Sequence, residues 1–155
     1  MDAPTRAGLP HAVLFACAQN SVRSPMAAAM FRRLFGQASY ARSAGARRGD
    51  ADPFAIAVMD EIGIDLTKHR PRTFEELEDL DGLNFDLIVT LSPEAHHRAL
   101  ELTRTLAVDV EYWPTADPTT VEGSREQRLD GYRQLRDQLL ARIKLRFGWR
   151  PSVNE

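Results

Sequence analysis

The chain is poor in several things that would each point to a function. Among 155 residues there is one cysteine, Cys17, so no internal disulfide can form and no thiol relay can run within the chain. A formal charge of −2 leaves no basic excess to drive binding to a phosphate backbone, which argues against a nucleic-acid partner. No run of about 18 apolar residues exists to span a membrane, and the first ten residues have no apolar core of the signal-peptide kind. Internal repeats and low-complexity tracts are absent. With no export signal and no disulfide, the expected compartment is the reducing cytoplasm. The length suits a single domain. Residues 1–10 read as a disordered N-terminal segment, 11–148 as the domain and 149–155 as a tail.

What is present concentrates around the lone thiol. His11 to Ala16 is a continuous apolar run of buried-strand length. Ser24 to Gly36 reads as a helix, with Ser24 as cap, Pro25 at the first helical position and Gly36 as stop. Between them lies a short loop carrying Cys17 at one end and Arg23 at the other, Cys17-Ala-Gln-Asn-Ser-Val-Arg23. A helix N-terminus offers unpaired N–H groups and the positive end of its dipole, so a loop wrapped over it binds tetrahedral oxyanions. Arg23 adds a planar fork able to hold two oxygens of one phosphate. The same positive field favours the thiolate, the nucleophilic form of cysteine. Ala18, Gln19, Asn20, Ser21, Val22, Arg23 and Ser24 are therefore the expected phosphate-binding residues. Ser24 is placed to donate a hydrogen bond to the Cys17 thiolate.

Further along, strand and helix patterns alternate. Strands are expected at Ala38–Ser43, Asn84–Leu91 and Ala107–Trp113. Helices are expected from Asp52-Pro53 to Gly63, over Thr73–Leu80 with a Thr73/Glu76 capping box, and over Pro93–Thr105. A long closing helix carries Leu129, Tyr132, Leu135, Leu139, Ile143 and Phe147 on one face. The pattern predicts an α/β fold, a three-layer α/β/α sandwich around a four-stranded parallel sheet, with the phosphate loop after strand 1. Asp117-Pro118 falls in a loop of turn formers after the last strand. Cleaving a phosphate ester needs an acid for the leaving oxygen, and Asp117 is the candidate. His96 and His97 are neighbours on a helix, do not share a face, and read as surface residues with no metal role. Trp113 reads as core. Arg47 and Arg48 are expected at the pocket rim, where they would favour acidic substrates.

The residues Cys17-x5-Arg23-Ser24, with Asn20 inside and Pro25-Met26-Ala27 after, resemble the phosphate loop of low-molecular-weight protein tyrosine phosphatases, a fold shared with thioredoxin-coupled arsenate reductases. Ser43-Ala44-Gly45, Asp52-Pro53 through Asp65, Phe85 to Ile88 and Asp117-Pro118 extend the resemblance from about His11 to Phe147. It implies phosphotyrosine-protein hydrolysis through a phosphocysteine on Cys17, with Arg23 binding phosphate, Asp117 as general acid and base, and no cofactor or metal. The partner would be a phosphorylated protein or small phosphomonoester. The alternative it implies is arsenate reduction with an external thiol. Asn20 would take a left-handed conformation, supported by Ser43 and His69. Three departures stand out. Val22 occupies the place of a protective second cysteine in many phosphatases. Thr119 and Thr120 follow Asp117-Pro118 where phosphatases often carry tyrosines, which implies a weaker aryl preference. Ser92 follows Val89-Thr90-Leu91 where the reductases carry a relay cysteine.

Overall fold

A computed structural model describes residues 8–151. Its elements run β1 (Ala12–Cys17), α1 (Arg23–Phe35), β2 (Tyr40–Gly45), α2 (Pro53–Asp60), α3 (Phe74–Asp81), β3 (Leu87–Thr90), α4 (Pro93–Leu102), β4 (Asp109–Tyr112), a single 3-10 turn at Pro118–Thr120, and α5 (Arg125–Phe147). The four strands are parallel in the order β2-β1-β3-β4, which is the expected fold. β1 is central, so both its faces are covered and its sequence is apolar without alternation. The period of two appears instead in where its side chains go. Val13, Phe15 and Cys17 join α1, α2 and α5 on one face. Leu14 and Ala16 join Phe74 and Leu77 of α3 and Ala95 and Ala99 of α4 on the other. Trp113 is core, edge-on to Phe15. Among the described residues no helix is long and apolar enough to cross a membrane.

Several boundaries differ from the sequence expectation, each for a local reason. Helix α1 begins at Arg23 with Val22 at the cap position and no side-chain cap. Ser24 therefore is not the cap; it lies inside the first turn, where its hydroxyl serves Cys17. Gly36 is right-handed, so the helix ends without the left-handed glycine that the stop signal implied. Strand β2 starts two residues late because Ala38 and Ser39 give their N–H groups to the Phe35 carbonyl. Strand β3 starts at Leu87 because the Asp86 carboxylate takes the N–H groups of His11 and Ala12. Helix α2 ends at Asp60, and Gly63, at φ 77°, sits in the turn beyond. Helix α4 ends at Leu102, and β4 is confined to Asp109–Tyr112. The Thr73/Glu76 capping box forms as expected, and a second, Ser124/Gln127, opens α5.

His96 is not a plain surface residue: it is half-buried, its Nδ1 lies 2.9 Å from Thr90 Oγ1, and its ring stacks on Tyr112. Of the expected N-terminal segment, residues 1–7 lie outside the described residues. Pro10 is buried, and its carbonyl accepts a hydrogen bond from Ser39 Oγ. At the other end Trp149 packs partly against the core under Lys144.

Candidate active site

The loop between β1 and α1 is shaped from behind. Its carbonyls are claimed in sequence: Ala46 N–H donates to Cys17 O, Arg47 N–H to Ala18 O, Gly49 N–H to Gln19 O, and His69 Nε2 to Asn20 O. With the carbonyls drawn outward, the N–H groups of Gln19 to Arg23 have no protein acceptor among the described residues. They form a concave row of free donors, an arrangement that suits an anion. Glycine is required at Gly45, where a Cβ would meet backbone, and fits closely at Gly49, where it would meet side chains. A Cβ on Gly45 would stand 2.8 Å from Asn20 N and 2.6 Å from Arg47 O, and one on Gly49 would stand 2.5 Å from Ser21 Oγ. The Ser43-Ala44-Gly45 sequence is thus the backing plate of the loop.

Asn20 is the one non-glycine residue with positive φ among those described, at 58°, and is fully buried. Asparagine tolerates this region better than most residues. Its Nδ2 donates to Ser24 Oγ at 3.0 Å and to Ser43 Oγ at 2.9 Å, and its Oδ1 accepts from Arg72 N–H at 2.9 Å. His69 closes the set through the Asn20 carbonyl at 2.8 Å. Burial, reinforced by Arg32, Arg72 and Arg70, pushes the His69 pKa below its ordinary value despite that hydrogen bond. The imidazole is therefore neutral near pH 7, and the carbonyl acceptor assigns its proton to Nε2. Ser43 and His69, the expected supports, each hydrogen-bond to Asn20. The Arg72 backbone does so too, and no side-chain pattern could have announced it.

Cys17 is 2% exposed. Its Sγ lies 2.9 Å from Ser24 Oγ and receives the Ser24 N–H at 3.4 Å. Arg23 is buried beside it and donates from Nη1 to the Thr115 carbonyl at 2.9 Å, which ties the guanidinium to the segment leading into Asp117. No carboxylate pairs with Arg23 among the described residues, leaving its charge for a ligand. Asp117 Oδ1 accepts from Thr119 N–H and Oγ1 at 2.9 and 2.7 Å.

These groups meet in one cavity of about 520 Å³. Cys17, Ala18, Gln19, Ser21, Val22 and Arg23 form its floor, and Asp117 and Thr119 stand on its wall. Asn20 and Ser24, also expected to bind phosphate, do not line the cavity and act from behind it. The remaining wall was not anticipated: Asp50, Ala51, Asp52 and Pro53 on one side, and Ser92, Pro93 and Glu94 on the other. Arg47 is at the rim, but its fork is taken by Glu94, at 3.0 and 2.6 Å. Arg48 does not line the cavity and pairs with Glu76. The expected attraction for acidic substrates is thereby cancelled.

Residues 12–145 match the family model described as low molecular weight phosphotyrosine protein phosphatase. The chain belongs to this family. Its relatives carry three chemistries under their names: arsenate reductase, tyrosine phosphatase and arginine phosphatase. An arsenate reductase of Shouchella clausii (strain KSM-K16) is 33% identical over 133 residues, which are 85% of this chain and 91% of that protein. The crystal structure of a low molecular weight protein tyrosine phosphatase from T. tengcongensis aligns with a TM-score of 0.68 at 26% identity, covering 86% of this chain and 95% of that one. An arsenate reductase in the phosphate-binding state aligns with a TM-score of 0.66, also at 26% identity, covering 88% and 96%. The family thus fixes an enzyme built around this loop, and the names of its members leave the reaction itself open.

Proposed function

We propose that the protein is a metal-independent phosphomonoesterase acting on phosphorylated protein, with Cys17 as nucleophile. The observation that carries this reading is the joint presence, in one cavity, of a thiol, an inward row of N–H donors, an arginine with no carboxylate partner among the described residues and the Asp117 carboxyl group, oriented by Thr119. The phosphate sits on the loop amides and the Arg23 fork, which stabilise the charge of its equatorial oxygens as the reaction proceeds. The Cys17 thiolate attacks phosphorus, forming an S–P bond while the P–O bond to the alcohol or phenol breaks. Asp117 donates its proton to that departing oxygen. In the second half, the Asp117 carboxylate takes a proton from water as the water oxygen attacks phosphorus. The S–P bond breaks, inorganic phosphate leaves and the thiolate returns. Ser24 Oγ, 2.9 Å from Sγ, donates to the sulfur and eases that departure.

The test is hydrolysis of p-nitrophenyl phosphate, and of phenyl phosphate with its poorer leaving group, by wild type, Cys17→Ser and Asp117→Asn. Cys17→Ser abolishes it. Asp117→Asn lowers turnover by roughly 10²–10⁴ on an ester with a poor leaving group, the usual worth of a positioned acid. Full activity in Cys17→Ser refutes the proposal.

Arsenate reduction is the second reading, favoured by the names of the curated relatives. Arsenate would esterify Cys17 with loss of water. An external thiol would then attack the sulfur, releasing arsenite and leaving a mixed disulfide that a second thiol reduces. Two thiols lose two electrons and arsenic gains them. Arsenite produced from arsenate and a low-molecular-weight thiol, with no ester hydrolysis, would select this reading.

A further inference from the structure

We infer that the pocket selects phosphopeptides with lysine or arginine next to the phosphorylated residue, and that Asp50 reads the positive charge. The inference rests on the phosphate-binding role proposed for the loop and concerns what fills the mouth above it. No aromatic side chain lines the cavity among the described residues, so stacking on a substrate ring contributes nothing and selectivity falls to charge.

The charges do not cancel. Arg23 lies at the floor, beside the phosphate. Arg47 and Glu94 neutralise each other through two hydrogen bonds. Three carboxylates remain around the cavity: Asp50, Asp52 and Asp117. Asp52 is occupied, one oxygen capping α2 through Phe54 and Ala55 N–H and the other accepting from Tyr132 OH. Asp117 is held by Thr119 and, as the acid of the first step, carries a proton when substrate binds, so the negative charge of the mouth comes from Asp50 and Asp52. Asp50 is exposed and has no hydrogen bond or ion pair among the described residues. The basic side chains Arg125 and Arg128 stack on the Phe54 ring, at 5.6 and 4.7 Å, and do not line the cavity. Once the phosphate is matched by Arg23 and the loop amides, the mouth is net negative. A cationic side chain entering it is attracted and an acidic one repelled.

Affinity of the Cys17→Ser protein, which binds without turning over, tests this. The probes are fluorescent phosphotyrosine peptides identical except for flanking lysines or glutamates. Exposed charge pairs are each worth about two- to five-fold in affinity, so the lysine peptide binds on the order of tenfold tighter. The difference shrinks at high salt. Asp50→Asn narrows the gap by about two- to five-fold, whereas Arg47→Ala widens it by freeing Glu94. Opposite responses to two rim substitutions are not what a merely structural change produces. Equal affinity, tighter binding of the glutamate peptide, or a gap that neither substitution moves would overturn the inference. Hydrolysis of p-nitrophenyl phosphate by wild type is measured alongside. Its absence, with the lysine preference intact, would remove the hydrolase reading and leave the charge selectivity standing.

Discussion

Asn20→Ala is the perturbation that best separates backbone from side-chain support of the phosphate loop. Asn20 does two jobs: its backbone occupies the left-handed region at φ 58°, and its buried amide joins Ser24, Ser43 and Arg72. Placing alanine in that backbone region costs roughly 1–2 kcal/mol. Losing three hydrogen bonds costs roughly 0.5–1.5 kcal/mol each. Together the loss is roughly 2.5–6.5 kcal/mol, a large share of the 5–15 kcal/mol that holds a typical domain folded. Asn20→Gly removes the same side-chain bonds but suits the left-handed backbone, so it should be the more stable of the two by about 1–2 kcal/mol. Urea unfolding followed by circular dichroism gives both numbers. An alanine variant as stable as the glycine variant, or a loss under about 1 kcal/mol in both, would refute the reasoning.

Other predictions address the surroundings of the loop. The folded-state pKa of His69 is lowered from its ordinary 6.5, so the unfolded chain binds the extra proton first. The stability that neutral His69 contributes is present above about pH 6.5 and is lost as pH falls below it. Unfolding free energies at pH 5.5 and 7.5 should differ less in His69→Gln, which keeps a donor but does not titrate, and an unchanged difference would contradict this. Gly131 lies inside α5, where a Cβ would approach Val121 Cγ2 at 3.3 Å. Gly131→Ala should change stability by no more than about 1 kcal/mol while pressing on the segment that carries Asp117. Turnover of phenyl phosphate, which needs the acid, should therefore fall more than that of p-nitrophenyl phosphate, whose leaving group does not; equal losses would deny Gly131 a positioning role.

Much of this arrangement was legible in the chain because it is written in local pattern. The apolar run of β1, the helix signals after Arg23, the Asp52-Pro53 cap and the Thr73/Glu76 capping box each depend on neighbours a few residues apart. The loop motif and Asp117-Pro118 were recognisable for the same reason. Contacts across long sequence separations were not. Nothing near Arg47 announces that Glu94 will neutralise it, and nothing near Asp50 announces that it will stand alone at the mouth. Ser24 meets Cys17 as its place in the loop implies, but it is not the helix cap, because cap and first-turn serines differ only in register. The burial of His96 is not legible locally because Tyr112, on which its ring stacks, belongs to β4 and is brought beside it by the sheet.

The most direct test of the central claim is to look for the phosphorylated thiol itself. Asp117→Asn protein mixed with p-nitrophenyl phosphate, quenched rapidly and digested, should yield a Cys17-containing peptide carrying one phosphoryl group. Without the Asp117 base, hydrolysis of the intermediate is slowed and it accumulates. The same peptide without phosphate, from protein that still releases p-nitrophenol, would contradict nucleophilic attack by Cys17.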